Sequence, residues 1–341
     1  MNQISSISEF LLHAQTEYHV FDMGRTIRSL DSQTFLNIEN ASEAAPYPRQ
    51  EHAWFGIVFF SRQLSREHYI WFVKLPLDEK GLVISATRNH FLQIITDALG
   101  AQLERNKEAR GRLPENPYTF VPNQQQLADF NSVSRGVLKL PPSEYYSAAV
   151  RYIAHPQAHN WQEVALQGIA DVAASVRRKD GAQLITAHLF ETAPQVQQAL
   201  MSSLENYPLD KSVSQQLIDN AEQHFADLSL IQWTLRALSQ SVASTIVKAF
   251  IQKILDSQHN IVPEIMLLIA ARHWQYLQDE KVLRQYIERL ALIDIELCAD
   301  LYSDLVRIPS VRPAMLGIIR WQDKSYALTQ VIGHLFSGQQ K

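Results

Sequence analysis

The sequence predicts an α+β N-terminal domain with a small sheet, at least one pair of its strands antiparallel, followed by an all-α solenoid of helical hairpins, HEAT-like by architecture. Three observations predict it. Trp54 to Phe60 and Tyr69 to Leu75 are strand-length apolar runs close together near the N-terminus. From about Pro142 onward, apolar residues recur at helical spacing, as in Ile246, Phe250, Ile254 and in Leu297, Leu301, Leu305. One skeleton also returns three times, as Pro194-x-Val196-xxx-Leu200, Pro263-x-Ile265-xxx-Ile269 and Pro313-x-Met315-xxx-Ile319.

Taken in order, Ile4, Ile7, Leu11 and Ala14 make one stripe of a helix, and Tyr18 to Met23 is a short β-prone run ending at Gly24. Ser32 to Glu43 reads as a second helix, closed by the breaker Pro46-Tyr47-Pro48. Trp54 to Phe60 is apolar on both faces, as in a strand covered on two sides. Ser61 to His68 is polar enough for a hairpin loop, so Tyr69 to Leu75 is expected to pair with the preceding strand antiparallel. A long helix from Ala86 to Arg110 offers Phe91, Leu92, Ile94, Ile95, Ala98, Leu99 and Leu103 to that pair. Residues 1–112 therefore read as an α-β-α-β-β-α domain.

Residues 113–141 read as a linker. They carry Pro114, Pro117, Pro122 and Pro141 and the polar run Asn123-Gln124-Gln125-Gln126, with at most a short helix at Leu127 to Phe130. Residues 142–341 are the helical repeat domain, with hairpins expected near 142–177, 180–206, 212–239, 242–273, 278–307 and 311–336. Each proline of the repeated skeleton marks a helix start, because the first turn leaves its N–H groups unpaired in any case. Asp210-Lys211, Asp279-Glu280-Lys281, Asp323-Lys324 and Lys179-Asp180-Gly181 are charged turns between helices, with the acid placed to favour the next N-terminus. Helices of this length do not hold alone in water, so stacking must supply their stability.

Bulk properties exclude more than they select. A formal net charge of −4 over 341 residues disfavours nucleic acid as the main partner. The single Cys298 precludes an internal disulfide framework and suits a reducing compartment. Met1 to Leu12 lacks the features of a secretory signal, and Ile265 to Ala271 is too short to span a bilayer, so a cytoplasmic protein without membrane insertion is expected.

At Val20-Phe21-Asp22-Met23-Gly24-Arg25, and again from Trp71 to Gly81 followed by Arg88 and Phe91-Leu92, the chain resembles an uncharacterised gammaproteobacterial family of about this length, a domain of unknown function. The resemblance covers the whole chain. It implies no activity, cofactor or catalytic residue.

Candidate chemistry is sparse. Asp22 and Arg25 follow the first strand, Asp78 and Glu79 follow the third, and Arg88 opens the long helix. If the sheet brings these ends together, they could bind a polar ligand or move a proton. The plainer reading is a solvated turn at Asp78-Glu79-Lys80-Gly81 and a local Asp22–Arg25 pair, scattered and exposed. His155 and His159 have a metal-ligand spacing, but Pro156 between them ends the helix and removes the shared face, so no metal site is assigned. Cys298 has Glu296 and Asp300 nearby, which would raise a thiol pKa, the wrong direction for a nucleophile. Neither a G-x-S-x-G elbow nor a phosphate-cradling glycine loop occurs. No catalytic residue and no cofactor are assigned.

In the helical part, Glu296, Asp300 and Asp304 fall at i, i+4 and i+8 and form an acidic row. It reads either as a solvated face contacting Arg284 and Arg289 or as a docking site for a basic partner. Arg177-Arg178-Lys179 reads as a helix end complementing its dipole. Trp161, Trp233, Trp274 and Trp321 read as core unless one is left exposed. The leading functional expectation is a non-catalytic interaction or scaffold protein that holds a protein partner on the helical surface. The alternative is an enzyme or small-ligand binder that uses the strand-end charges.

Overall fold

The computed structural model describes residues 5–60, 67–104 and 114–337. The chain divides into two compact units, residues 1–122 with 307–310 and residues 123–306 with 311–341.

The first unit begins with α1 (Ile7–His13), started by Ser6, whose side chain accepts from the Glu9 amide. It continues with β1 (Glu17–Asp22), β2 (Arg28–Leu30), α2 (Ser32–Glu39), β3 (His52–Phe60), β4 (His68–Pro76) and α3 (Ser85–Glu104). The sheet order is β2-β1-β3-β4 and every pairing is antiparallel. Register lines up Val20, Ile57 and Trp71 in one row and Asp22, Phe55 and Val73 in another. Rows two residues apart share a face of the sheet. That face meets Ile7 and Leu11 of α1, Phe35 and Ile38 of α2, and Phe91 and Ile95 of α3 in one buried core. On β2 the same two rows continue with Leu30 opposite Val20 and Arg28 opposite Asp22, so the charges of this pair of rows are Asp22 and Arg28.

The expected strands and helices are present, with one addition. The order is α-β-β-α-β-β-α, because Arg28–Leu30 forms an edge strand in addition to those expected. Three residues without β-branching carry no period of their own, and β2 exists because the turn after Asp22 returns the chain onto β1. The second helix ends at Glu39 rather than Glu43, since Ala41 takes a left-handed φ of 57° that no helix can accommodate. The hairpin loop at 61–66, the distal part of the long helix at 105–110 and the expected boundary near residue 112 lie outside the described residues.

The second unit opens with α4 (Gln124–Val137), inside the stretch expected to be a linker. The Asn123 side chain caps the Gln126 amide and the Gln126 side chain returns to the Asn123 amide, so a reciprocal capping box starts a 14-residue helix where prolines suggested extended chain. Then follow α5 (Tyr146–Ala154), α6 (Leu166–Ala174), α7 (Lys179–His188), α8 (Pro194–Leu204), α9 (Lys211–Gln223) and α10 (Leu228–Ala237). The series ends with α11 (Ser244–Asp256), α12 (Pro263–Arg272), α13 (Glu280–Ile293), α14 (Ile295–Leu305), α15 (Arg312–Gly317) and α16 (Tyr326–Ser337).

Each of the six expected hairpin ranges matches two of these helices to within one residue, α7, α9 and α16 each overrunning by one. Pro194, Pro263 and Pro313 sit at the first or second helical position, and Asp210 and Asp279 are N-caps, as are Asp227 and Asp294. Lys179-Asp180-Gly181 is the first turn of α7 itself. A methyl at Gly181 would collide with the Ser175 carbonyl, so glycine there lets the α6 end and α7 approach.

Packing follows chain order in two rows. The even-numbered helices stack α4 on α6, α6 on α8, and so on to α14 on α16. The odd-numbered ones stack α5 on α7, α7 on α9, α9 on α11 and α11 on α13. Helix α14 buries Cys298, Ala299, Tyr302 and Leu305, while Leu297 and Leu301 are only half-buried, so the expected apolar row is rotated toward the 298–302 face.

Candidate functional site

Strand β1 ends where the sheet face turns polar. Asp22 is fully buried there, its Oδ1 accepts from the Gly24 amide at 2.8 Å, and its Oδ2 has no hydrogen-bond partner. Burial pushes its pKa up from 3.8 to about 7, against the pull of the Gly24 N–H and of Arg28, Arg25 and Arg49. Arg25 is buried as well and donates from Nη2 to the Pro48 carbonyl at 3.1 Å. Gly24 is required by close approach, since a side chain would strike the Tyr47 carbonyl.

Of the remaining strand-end residues, Asp78 caps its own turn, accepting from the Lys80 and Leu82 amides at 2.8 Å each, and it is exposed together with Glu79. Arg88 is buried and serves α2. Its Nη1 donates to the Glu39 carbonyl at 2.6 Å and to Asn40 Oδ1 at 2.7 Å. The Glu39 carboxylate is spent on the free N-terminus of α1, accepting from the Ile7 amide at 2.6 Å and the Ser8 amide at 3.1 Å. The five residues thus separate into a buried Asp22–Arg25 neighbourhood, a buried Arg88 that ties α3 to α2, and an exposed turn. The expectation of scattered, exposed charges holds for Asp78 and Glu79 and is corrected for Asp22, Arg25 and Arg88, which are buried: Asp22 accepts from the Gly24 amide, Arg25 donates to the Pro48 carbonyl and Arg88 to the end of α2.

In the helical unit the acidic row is exposed at Glu296 and Asp300 and half-buried at Asp304. Arg284, expected to neutralise it, instead donates to the Asp323 carbonyl at 2.9 Å and stacks over Trp321 at 4.3 Å. Leu292 (68% exposed) and Ile295 (38%) stand beside Glu296 at the junction of α13 and α14. Trp274 is core, whereas Trp161, Trp233 and Trp321 are half-buried. His155 is the C-cap of α5, and both it and His159 are exposed. Among the described residues, no cluster of three or more His, Cys, Asp or Glu side chains could hold a metal ion, and no helix is long and apolar enough to cross a membrane. Burial pushes the Cys298 thiol up to about 12, with Glu288 and Asp294, rather than Glu296 and Asp300, adding to it.

A further charge constellation, outside the expected site residues, joins Glu205, Arg236 and Arg272. It lies where successive even-numbered helices end. Glu205, just after α8, receives Arg236 of α10 through Nε at 3.0 Å and Nη2 at 3.0 Å. The same carboxylate receives Arg272 of α12 through Nε at 2.9 Å and Nη2 at 3.4 Å. Its backbone carbonyl is held by Ser239 Oγ at 3.1 Å and Gln240 Nε2 at 3.0 Å. Burial alone would raise the Glu205 pKa, but Arg272 and Arg236 together outweigh it and hold it below its ordinary value.

Beside this cluster, Asp129 of α4 accepts from Ser203 Oγ at 2.6 Å and Gln125 Nε2 at 3.1 Å, both on Oδ1. Burial, with Glu205 adding to it, takes Asp129 up to about 7 against the pull of Ser203, Gln125 and Arg236. Asp171 of α6 is saturated by neutral donors, Ser132 Oγ at 2.5 Å and the Ser143 amide at 2.8 Å among them. The Tyr207 hydroxyl, buried near these carboxylates, has no partner. A polar seam therefore runs across α4, α6, α8, α10 and α12. One sequence signal pointed to it: Glu205, Arg236 and Arg272 each stand at or just past the end of an apolar helix, one per hairpin.

The chain belongs to the family described as "Protein of unknown function (DUF3549)", whose model matches residues 2–336. No curated protein and no solved structure matches the chain.

Proposed function

Taking that family as the premise, with no relative to lend it an activity, we propose that this is a non-catalytic interaction or scaffold protein whose helical part acts as a HEAT-like solenoid and holds a protein partner. The observation that carries this reading is the two-row stacking in chain order, which gives each helix neighbours mainly from adjacent hairpins. The region around Glu296 and Asp300, with Leu292 and Ile295 exposed beside them, supports a partner segment that carries basic and apolar side chains. The lone buried Cys298 suits work in the reducing cytoplasm.

The test is crosslinking in cells from a photoreactive group placed at Leu292. A discrete adduct is expected with the wild type, and it should disappear with Glu296→Lys, Asp300→Lys while the variant keeps its fold. No adduct, or one indifferent to the charge reversal, removes this surface from the account.

A second reading rests on Asp22. A fully buried carboxylate with one oxygen unpaired and a pKa of about 7 is the kind of group that binding and proton-transfer sites use. A small-molecule screen by thermal shift, comparing wild type with Asp22→Asn, separates the readings. A ligand that stabilises only the wild type moves the activity to the sheet unit.

A further inference from the structure

Arg236 and Arg272 bind Glu205 in the same side-on manner, each spending Nε and Nη2 on the carboxylate. That geometry leaves both Nη1 groups over. Among the described residues Arg236 Nη1 has no acceptor beside it, and Arg272 Nη1 reaches its neighbouring Ala271 carbonyl at 3.4 Å. The two side chains keep 30% and 19% of their surface exposed, against 8% for Glu205. Two guanidiniums thus share one carboxylate in a partly enclosed place, and the cluster is one negative charge short.

No neighbouring acid closes the deficit by contact. Asp129 is turned to Ser203 and Gln125, and Asp171 to Ser132 and Ser143. Arg177, exposed, lies at 5.1 Å over the ring of Tyr207, two residues along from Glu205. Guanidiniums already locked on a buried carboxylate have lost their rotamer freedom in advance, which lowers the cost of receiving a second anion.

We infer that Arg236 and Arg272, clamped on Glu205, form a receptor for an oxyanion, a carboxylate or phosphate group brought by a ligand to the even-numbered row of helices. The Nη1 groups, which are not spent on Glu205, would supply the donors, and Glu205 holds both guanidiniums in place beforehand. The site does not depend on the docking surface at α13 and α14, and it stands whether or not that surface holds a protein. A purely structural role, in which two arginines complement the carbonyl ends of α10 and α12, accounts for the pairing with Glu205 but predicts no response to anions.

The experiment titrates the intact chain with inorganic phosphate and, separately, with succinate, at constant ionic strength in chloride, and follows heat release and Tm. Saturable stabilisation by either anion is expected, and the stronger of the two tells a phosphate from a carboxylate ligand. Arg236→Gln and Arg272→Gln should each weaken that affinity by about tenfold or more. Arg284→Gln, which removes a guanidinium stacked on Trp321 outside the cluster, should leave it unchanged. No response of the wild type, or equal affinity in all four proteins, overturns the inference. Should either Gln variant fail to fold, the wild-type Nε–H resonances of Arg236 and Arg272 decide. They shift together on phosphate addition if the site is real, and stay fixed if it is not.

Discussion

Glu205 in the helical unit and Asp22 in the sheet unit are both enclosed carboxylates with arginines around them, yet they titrate in opposite directions. Glu205 accepts four guanidinium hydrogen bonds and is held below its ordinary value. Asp22 feels Arg28, Arg25 and Arg49 only through space, accepts one backbone N–H, and rises to about 7. The difference teaches that nearby positive charge does not by itself repay desolvation; directed donors do. It also separates roles, since a saturated carboxylate acts as a rigid anchor while a half-saturated one can exchange a proton near neutrality.

The largest effect that would break this comparison comes from Glu205→Gln. Removing the charge leaves two partly buried guanidiniums without their shared anion, so a loss of about 3–5 kcal/mol is expected in urea unfolding followed on the helical signal. If Glu205→Gln costs no more than an ordinary surface change, the anchor reading of Glu205 is wrong.

The next effect is on pH dependence. For Asp22 the folded pKa of about 7 lies above the ordinary 3.8. The folded state therefore prefers the protonated form, and the group's contribution to stability declines as pH rises from about 4 to above 7. Asp129 has the same sign and the same window. His273 opposes them, because burial, with Arg272 adding to it, lowers its pKa to about 4 and its contribution is lost as pH falls below 6.5. The difference between variant and wild type is therefore the useful quantity. Between pH 5 and pH 8, Asp22→Asn and Asp129→Asn should each gain about 2–3 kcal/mol relative to wild type in denaturant titrations. A pH-independent difference would mean that these carboxylates are solvated in the folded protein.

A third, smaller effect probes the turn that encloses Asp22. Gly24→Ala places a methyl against the Tyr47 carbonyl, so the turn must open and expose the carboxylate. A cost of about 1–3 kcal/mol is expected, and in the Gly24→Ala background the pH dependence assigned to Asp22 should shrink. Destabilisation with an unchanged pH profile would detach the titration from that enclosure.

How much of this was legible in the sequence follows from range. The strands at Trp54 and Tyr69 announce themselves because an apolar or alternating run is written within nine residues. The hairpins do so because Pro194, Pro263, Asp210 and Asp279 mark helix starts locally. Edge strand β2 was not legible, since it is defined by its partner rather than by its own three residues. Asp22 and Arg25 stand out as charges after an apolar run, but the burial of Asp22 at the end of β1 and of Arg25 in the turn beyond it is set by what packs on them, which those few residues do not carry. Glu205, Arg236 and Arg272 are separated by 31 and then 36 residues along the chain, and each alone is an ordinary charge at a helix end. Only the stacking of α8, α10 and α12 makes them one group.

Helix α4 offers the finest test of the contrast between what is written locally and what stacking adds. Its stretch reads as linker by proline content, yet Asn123 and Gln126 form a reciprocal cap, and Asp129 reaches Ser203 on α8. If α4 is an integral first layer of the helical unit, Asn123→Ala should cost about 1 kcal/mol, the usual worth of an N-cap. The loss should also extend beyond α4. Amide exchange would speed up in α6 and α8, which pack on α4, and stay unchanged in β1 and β3 of the sheet unit. Exchange accelerated in α4 alone would instead describe a helix that rests on the array without supporting it. In that case Asp129 would titrate closer to its ordinary value of 3.8, because fraying of α4 would admit water to the seam.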